Sequence, residues 1–384
     1  MNRNELTITF LASFYPWPTT NGGRIATAAL FEWWIKHHPV NLIAFRDPQT
    51  PQISQAKSTT IIPLPAAVHV RRFVRLLRGW STGRPYFVEY FASSAMRRAT
   101  ASIHPRNVIL CDLAMAQYVR NRPLVLIAHN VEYDLANQRF KRETGVVRLI
   151  WWIEMLLLRA WEAKIIRQAR FIISLSPADA ARFEALYGVE ERRISVLIPP
   201  LTESWSTPDW NRSTSIAFIG SQTWPENREA LQWFLSAVVP HIPSRYPILV
   251  AGQGTQDTVR TVRLNRKIKV IEGFSSVEEF VNEIRVLAVP LLHGSGIRIK
   301  ILQALQAMIP VVSTNPGVHG LPPETGIAIA DDPETFAGLL IKLCDDEAAS
   351  RAQVQQGFEW WRGAQAESAH TLASLENELR DIMH

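Results

Sequence analysis

The feature of this sequence that most constrains its fold is an alternation of short apolar runs with helical patterns along most of the chain. In the first half, strands are predicted at residues 6–12, 40–45, 108–112, 124–130, 171–176 and 194–200. Helical patterns lie between these strands, among them residues 22–38 and 177–187. Apolar runs that alternate with helices are typical of parallel strands whose sheet is covered on both faces. The first half is therefore predicted to be an α/β domain.

The alternation restarts at residue 215, after a polar stretch at 201–215 that is rich in Ser, Thr and Pro. The second half has strand patterns at 215–220, 246–254, 268–274, 286–292, 309–314 and 326–330, with helices at 227–242, 276–284 and after residue 294. We interpret the polar stretch as an interdomain linker. The predicted fold is α/β, with two doubly wound Rossmann-like domains that face each other across a cleft.

The predicted domains are residues 1–203 and 204–365, followed by a C-terminal helix at 366–384 that could pack back on the first domain. In doubly wound sheets, ligands bind beyond the carboxyl ends of the strands. The cleft between two such domains is therefore the expected ligand site.

The composition narrows the class of protein and of ligand. Hydrophobic residues make up 47% of the 384 residues and charged residues 20%, which is ordinary for globular domains. The net charge of +6 suits nucleic acid, anionic lipid or phosphorylated small molecules. No nucleic-acid reader motif accompanies the basic residues, so nucleic acid is disfavoured as a partner. No window approaches 18 uncharged apolar residues, so a cytoplasmic protein is expected.

A glycine turn followed by a helix, GSGIRIKILQALQ, is the most informative local pattern. Gly294 and Gly296 allow the backbone to approach a ligand closely, and Ser295 is predicted to cap the helix. Arg298 and Lys300 place two cations in the first turn, where the helix dipole disfavours positive charge. Cations at that end of a helix are expected where an anionic ligand binds. The alternative is a solvated basic turn.

The same helix is predicted to have two faces. The apolar side chains that recur at helical spacing should face the core, namely Ile301, Leu302, Leu305 and Met308. Gln303 lies three residues after Lys300 and on the same side of the helix. An amide and a cation are therefore expected to act together near the start of the helix.

Longer segments of the sequence resemble a known family. The stretch SIAFIGSQTWPENREALQWFLSAVVPHI, followed by VAGQG, IEGF and VPLLHGSGIRIKILQALQAMIPVVST, resembles the C-terminal domain of retaining GT-B glycosyltransferases of family 4. The segments YPWPTTNGGRIATAALFEWW, AHNVEYDLANQRF and SLSPADAARF resemble the N-terminal domain of that family. The resemblance covers roughly residues 5–330. It implies transfer of a sugar from a nucleotide-sugar donor to an acceptor hydroxyl, with retention of the anomeric configuration.

The resemblance implies that three residues are catalytic: His129, Lys300 and Gln303. His129 matches a histidine that approaches the donor sugar, and Glu132 could help to shape the same pocket. Lys300 matches a lysine that contacts phosphate, with Arg298 in support. Gln303 stands where the family has a glutamate that accepts hydrogen bonds from ribose hydroxyls.

The resemblance also implies a set of donor-binding residues. Gly22 and Gly23 match a glycine loop near the donor diphosphate, and Gly220 and Ser221 begin the first loop of the second domain. The predicted walls of the nucleobase pocket are Gly252, Gly254 and Phe274. The remaining members belong to the glycine turn and its helix: Gly294, Ser295, Gly296, Arg298, Lys300 and Gln303. No metal or other cofactor is expected, because the sequence has no Asp-x-Asp motif and GT-B enzymes generally act without a metal.

Two departures from the family pattern leave other functions open. Ser295 stands where the first carboxylate of the family's E-x7-E motif would fall, and Gln303 replaces the second. The alternative to an active enzyme is a non-catalytic GT-B protein or a partner subunit. A third interpretation is another GT-B enzyme, such as a nucleotide-sugar epimerase.

The acceptor that the resemblance implies is a glycan, a lipid-linked sugar or a natural product, as in cell-envelope polysaccharide biosynthesis.

The segment VHVRRFVRLLRGWSTGRPYF at residues 68–87 has five arginines among Val, Phe, Leu and Trp. Basic amphipathic segments with aromatic residues can lie on anionic membranes. Together with the apolar helical stretch at 149–161, this segment suggests that the first domain docks on the inner face of a membrane. The alternative is a solvated face over an ordinary core helix.

Overall fold

The computed structural model describes residues 6–19, 21–46, 58–63, 69–120, 122–201, 205–274 and 276–382; the side chains of residues 69–71 and 382 lie outside the description. The chain forms two compact units. The first comprises the described parts of residues 1–19, 23–200 and 367–384, and the second those of residues 20–22 and 201–366. The predicted boundary between residues 203 and 204 falls outside the described ranges.

The first unit is built on a parallel sheet. Within the described ranges its strands are β1 (Ile8–Ala12), β2 (Val40–Arg46), β3 (Ser58–Pro63), β4 (Val108–Cys111), β5 (Leu124–Ala128), β6 (Phe171–Ser174) and β7 (Ile194–Val196). Their order across the sheet is β3-β2-β1-β4-β5-β6-β7. The helices are α1 (Gly22–His37), α2 (His69–Ser81), α3 (Tyr86–Tyr90), α4 (Ser94–Ala101), α5 (Glu132–Arg142), α6 (Gly145–Gln168) and α7 (Pro177–Tyr187). Every residue of the central strands β1, β4, β5 and β6 is buried, as expected for a sheet covered by helices on both faces.

The second unit is built on another parallel sheet. Its strands in the described part of the chain are β8 (Ser215–Ile219), β9 (Ile248–Ala251), β10 (Lys269–Ile271), β11 (Ile284–Val289), β12 (Val311–Ser313) and β13 (Ala328–Ile329). Their order is β10-β9-β8-β11-β12-β13. The helices are α8 (Pro225–Trp233), α9 (Thr255–Arg260), α10 (Ile299–Gln306), α11 (Pro333–Asp345) and α12 (Glu347–Ile382).

The last part of α12 belongs to the first unit. Three leucines on it are fully buried: Leu372, Leu375 and Leu379. Ser368 Oγ accepts a hydrogen bond from the Ile198 amide at 2.9 Å. The imidazole Nε2 of His38, at the end of α1, lies 3.2 Å from Glu376 Oε1. Apolar burial and these polar contacts together hold the end of α12 on the first unit.

The edge strand β3 is not among the strands that the sequence predicted. It begins with Ser58, Thr59 and Thr60, and most of its residues are exposed or half-buried because it lies at the edge of the sheet. The criterion of a continuous apolar run detects strands that are buried on both faces, and an edge strand does not meet it.

The helix predicted at 227–242 is α-helical only as far as Trp233. It continues as a π turn at Phe234–Val238 and a 3-10 turn at Val239–His241. Pro240 has no N–H and therefore cannot continue the α-helical ladder of hydrogen bonds.

The helix predicted at 276–284 is absent from that stretch, which forms two 3-10 turns at Val277–Glu279 and Val281–Glu283. The prediction for the helix after residue 294 is partly wrong. Three of the four apolar residues assigned to its core face are buried: Ile301, Leu302 and Leu305. Met308 lies beyond the end of α10, half-buried and in the left-handed region at φ 57°. Within the described ranges, no helix has both the length and the apolar character needed to cross a bilayer.

Candidate functional site

Two glycines bring the first two loops of the second sheet into direct contact. Gly220 follows β8 and Gly252 follows β9, both at the carboxyl edge of the sheet. The Gly220 amide donates to the Ala251 carbonyl at 2.8 Å. Gly252 has a φ of 144°, and a Cβ there would lie 2.2 Å from the Gly220 carbonyl oxygen. Only glycine satisfies both the backbone conformation and this contact.

Side chains that the sequence analysis did not single out fix the loop after β8. Gln222 Nε2 donates to the Gly220 carbonyl at 2.7 Å, and Asn227 Nδ2 donates to the Ser221 carbonyl at 3.0 Å. Arg228, on α8, donates through Nη2 to the Gln222 carbonyl at 2.9 Å. Two of these contacts hold the carbonyls of Gly220 and Ser221 in place, and the third holds the carbonyl of Gln222.

Lys300, the second residue of α10, reaches the same loop. Its Nζ donates to the Ile219 carbonyl at 2.5 Å and lies 5.5 Å from the centre of the Phe218 ring. Burial of the amine, with a smaller contribution from nearby Arg298, lowers the pKa of Lys300 to about 7. Desolvation disfavours the ammonium, and a second cation adds repulsion. An anion placed beside this amine would favour its protonated form.

The glycine turn before α10 is held by Arg298. Arg298 Nη1 donates to the Ser295 carbonyl at 3.1 Å, and a Cβ on Gly294 would lie 2.2 Å from Arg298 Nη2. Gly294 and Gly296 have positive φ angles of 128° and 78°. The guanidinium therefore packs on a turn whose backbone requires glycine at two positions.

The prediction that Ser295 caps the helix is wrong. The N-cap residue of α10 is Arg298, which makes no capping hydrogen bond through its side chain. Ser295 is buried and lies three residues before the N-cap, because the turn uses residues 294–297 before the first helical turn begins. Gln303 is buried on α10, three residues after Lys300.

The other predicted donor-binding residues have varied surroundings. Gly254 has a φ of 77° and is the N-cap residue of α9. Phe274 is half-buried and packs edge-on against Phe280, with ring centres 5.1 Å apart. Gly22 groups with the second unit, and a Cβ there would lie 3.3 Å from the Ile299 side chain.

A contact between a histidine and a carboxylate flanks the glycine turn. His293 directly precedes the turn, and its Nε2 lies 3.3 Å from Glu229 Oε2 on α8. Motif matching did not find this pair, because 64 residues separate its members in the sequence. The pair ties the start of the turn to α8, the same helix that holds the loop after β8.

At the carboxyl edge of the first sheet, Asp112 organises the ends of two strands. Its Oδ2 accepts from the amide and hydroxyl of Ser13 at 2.8 Å and 2.6 Å. Its Oδ1 accepts from the amides of Ala114 and Met115, each at 3.0 Å. The two hydrogen bonds from Ser13 join the end of β4 to the end of β1, and the two from Ala114 and Met115 fix the turn that follows β4.

His129 follows β5 at the same edge and is half-buried. Burial lowers the pKa of His129, and the Asp112 carboxylate opposes that effect in part. A neutral imidazole is therefore favoured, with one nitrogen to donate and one to accept a hydrogen bond. Gly23, the other predicted residue of this unit, lies in the first turn of α1, where its carbonyl accepts from Thr27 Oγ1 at 2.8 Å.

Glu132 opens α5, three residues after His129. Burial, the neighbouring carboxylate of Glu162, and the more distant Asp112 and Asp179 raise the pKa of Glu132. Burial is also the main cause that raises the pKa of Glu162. Two carboxyl groups therefore meet at the start of α5, Glu132 on α5 and Glu162 on α6, and both hold protons more strongly than exposed carboxyl groups do.

The structure thus brings Gly220, Ser221, Gly252 and Lys300 together at the carboxyl edge of the second sheet. His129 and Gly23 lie in the first unit. Among the residues that the structure describes, no group of three or more His, Cys, Asp or Glu side chains is arranged to hold a metal ion.

A family model described as Glycosyltransferase Family 4 matches residues 20–200, and one described as Glycosyl transferases group 1 matches residues 213–346. A Klebsiella pneumoniae protein, described as an uncharacterized 44.6 kDa protein in the cps region, is 22% identical over 353 residues, which are 85% of this chain and 88% of that protein.

Solved structures resemble this chain along nearly its whole length. Sucrose-phosphate synthase from Thermosynechococcus elongatus superposes with a TM-score of 0.67 at 15% identity, covering 98% of this chain and 99% of that one. HepE from Anabaena, in complex with UDP-glucose, superposes with a TM-score of 0.64 at 10% identity, covering 97% and 100%. At these identities the likeness concerns the fold, and it confirms the predicted GT-B fold with two Rossmann-like domains.

Proposed function

This chain is a glycosyltransferase of group 1, family 4, and from that premise we propose that it moves a sugar from a nucleoside-diphosphate sugar to an acceptor hydroxyl, with retention of the anomeric configuration. Such a transfer releases a diphosphate that carries more negative charge than it did in the donor. The protein must therefore supply positive charge and N–H donors where that diphosphate forms.

The observation that carries the proposal is the placement of Lys300. Its amine lies against the carbonyl that ends β8, beside the loop that begins with Gly220 and Ser221. With a pKa of about 7, this amine is readily neutral in the free protein. A bound diphosphate stabilises the ammonium, so the cation would form in response to its ligand.

The remaining donor contacts follow from the same arrangement. Gln303 offers an acceptor oxygen for ribose hydroxyls, and His129 offers a neutral imidazole to the sugar. The Anabaena HepE structure contains UDP-glucose, which supports a nucleotide-sugar donor for a chain of this fold.

Calorimetry with UDP, GDP, ADP and dTDP tests the phosphate site. We expect one of these nucleotides to bind the native protein, and Lys300→Ala to weaken that binding by roughly tenfold to a hundredfold, because a charge-assisted contact is lost. Lys269→Ala is the matched control, since Lys269 is an exposed lysine of the same unit that pairs with Glu283 at 2.5 Å. The control should bind like the native protein.

The lowered pKa of Lys300 adds a second readout to this experiment. At pH 8 the free amine is mostly neutral, so diphosphate binding should draw a proton from the buffer. The binding enthalpy should then depend on the ionisation enthalpy of the buffer, and Lys300→Arg should remove that dependence because arginine stays charged. If no nucleotide binds at millimolar concentration, the non-catalytic alternative is favoured, because Ser295 and Gln303 stand where the family has carboxylates.

The acceptor belongs to the same proposal. The Klebsiella pneumoniae relative lies in the cps region, which supports a role in polysaccharide synthesis. A growing glycan or a lipid-linked sugar is therefore the first acceptor to test, with a natural product as the alternative.

We further propose that the first unit contacts an anionic membrane through α2 and α6. On α2, Phe73 is 62% exposed and Leu77 46%; on α6, Leu149 is 55% and Trp152 45% exposed. The two helices are tied together where Trp80 Nε1 donates to Glu154 Oε1 at 2.7 Å. Exposed apolar side chains on adjoining helices are typical of surfaces that contact membranes or proteins.

The arginines of this segment contribute less than the sequence suggested. Arg78 pairs with the buried carboxylate of Glu89 at 3.0 Å, and Arg75 lies over the Tyr90 ring at 5.4 Å. The side chain of Arg71 lies outside the description. Membrane contact would therefore depend mainly on the apolar side chains.

A further inference from the structure

Glu162, on α6, is a buried carboxylate with three hydrogen-bond donors. It is 1% exposed. Its Oε1 accepts from the Glu132 amide at 2.7 Å, and its Oε2 accepts from the Tyr133 amide at 3.1 Å and from the Tyr187 hydroxyl at 2.6 Å. Two of these donors are the first two amides of α5.

The sequence around the start of α5 explains why a distant carboxylate is needed there. The N-cap residue is Val131, whose side chain cannot accept a hydrogen bond. Val131 itself is fully buried. Glu162 therefore supplies from α6 what a Ser or Asp at the N-cap would supply locally, and in its ionised form its charge also suits the positive end of the helix dipole.

The bend that contains His129 lies between two fixed points. On one side it is anchored by β5, which ends at Ala128. On the other side it is anchored by α5, whose first turn is held by Glu162. The segment from His129 to Val131 joins these two anchors, so a shift of α5 moves the backbone that carries His129.

We propose that Glu162 is a positioning residue, which fixes the first turn of α5 and thereby sets the place of His129 and Glu132 at the carboxyl edge of the first sheet. The consequence for catalysis rests on the proposed function, in which His129 serves the donor sugar. The placement of His129 itself does not depend on that function.

The charged and titratable groups around this contact come from four elements. Asp112 faces it from the end of β4, and Asp179 and Tyr187 face it from α7. Asp134 on α5 and Arg159 on α6 are also close. Most of these groups are carboxyl groups, and their negative charge favours protonation of Glu162. Protonation should weaken the contact, since a protonated carboxyl group accepts these donors less well.

Glu162→Gln tests the proposal, and Glu154→Gln is its matched control. Glu154 lies on the same helix, is 5% exposed, and accepts from the amide of Tyr86, the first residue of α3, at 2.8 Å. Each substitution keeps the shape of the side chain and disturbs its contact with the first residue of a neighbouring helix, which is α5 for Glu162 and α3 for Glu154. Only Glu162 is connected to the bend that carries His129.

The imidazole signals of His129, measured by NMR on histidine-labelled full-length protein and assigned with His129→Gln, are the main readout. In Glu162→Gln we expect these signals to shift and the pKa of His129 to change by about half a unit or more. Amide exchange at Glu132 and Tyr133 should accelerate roughly tenfold or more. In Glu154→Gln the His129 signals should stay in place.

Tyr187→Phe provides a milder variant in case Glu162→Gln fails to fold. It removes one donor from Glu162 and keeps the aromatic ring, so it should move the His129 signals in the same direction by a smaller amount. If exchange at α5 accelerates while the His129 signals stay unchanged, Glu162 only caps the helix and the proposal is overturned. Unchanged exchange and unchanged signals would overturn it as well.

Turnover separates this inference from the proposed function. Calorimetry identifies the nucleotide, and turnover is then measured with sugar donors of that nucleotide. Glu162→Gln should lower kcat about tenfold and leave the KM for the donor near its native value, because the placement of the imidazole changes while the phosphate site does not. If the native protein shows no turnover, the proposed function fails. The His129 signals would still decide whether Glu162 positions this residue.

Discussion

At the scale of single residues, the carboxyl edge of the second sheet contains a backbone contact that has no space for a side chain. The Gly252 Cα faces the Gly220 carbonyl so closely that a Cβ would lie 2.2 Å from its oxygen. The Lys300 amine bonds to the preceding carbonyl, that of Ile219. A side chain at Gly252 would therefore displace the Gly220 carbonyl and, with it, the neighbouring Ile219 carbonyl to which the Lys300 amine donates.

Gly252→Ala should destabilise the protein by about 3 kcal/mol, because the added methyl overlaps a carbonyl and the backbone conformation disfavours a side chain. Gly338→Ala is a control of opposite sign. Gly338 lies inside α11, and a Cβ there would meet no atom within 4 Å. It should be neutral or stabilise by up to about 1 kcal/mol. Urea unfolding measures both, and equal effects would contradict this account of Gly252.

The sequence predicted some of these residues and missed others for an identifiable reason. The glycine turn and Lys300 were found because their spacing within one short motif carries the chemistry. Gln222 and Glu162 were missed because their function depends on partners that only the fold brings near. Ser295 was misassigned as a cap because sequence alone did not show how many residues the turn uses before α10 begins.

At the scale of elements, α6 has two different sides. Its buried side carries Glu154 and Glu162, eight residues apart, which bind the first residues of α3 and α5. Its other side exposes apolar residues from Val146 to Leu156. One helix therefore both organises the first unit and exposes five large apolar side chains.

The apolar surface leads to a prediction about membranes. The double variant Phe73→Ser, Trp152→Ser should reduce co-sedimentation with anionic vesicles by roughly tenfold or more, because two large exposed side chains can no longer enter the lipid. Trp224→Ser is the control, since Trp224 is 54% exposed on the second unit. Native protein that stays in solution at low salt, or a control that loses as much binding, would contradict the prediction.

The strands show what a pattern in sequence can and cannot predict about elements. β1, β4, β5 and β6 were found because every position in them is buried, which produces a continuous apolar run. β3 was missed because an edge strand needs no such run. The stretch 276–284 has helix-forming residues, and yet it forms two 3-10 turns.

At the scale of the whole molecule, the chain passes from the first unit to the second and then returns. The described parts of residues 23–200 and 367–384 belong to one unit, and those of residues 201–366 belong to the other. The return is made within a single helix, α12, whose last part buries three leucines in the first unit. The stability of the first unit therefore depends on residues far along the chain.

Leu379→Ala should destabilise the first unit by about 2–5 kcal/mol, as expected for a fully buried leucine. Amide exchange in β1 and β7 should accelerate, although these strands are distant in sequence. Leu340→Ala is the counterpart, because Leu340 is equally buried on α11 in the second unit. It should accelerate exchange in β8 and β11 first. Faster exchange in the second unit alone after Leu379→Ala would contradict this assignment.

The return of α12 also has a consequence for how the protein is made. During synthesis, residues 23–200 leave the ribosome well before residues 367–382, so the unit that is translated first lacks part of its core until the second unit has been translated. The apolar surface that Leu372, Leu375 and Leu379 cover in the folded protein stays exposed throughout that interval. The nascent chain is therefore most vulnerable to proteases and to self-association just before its last helix emerges.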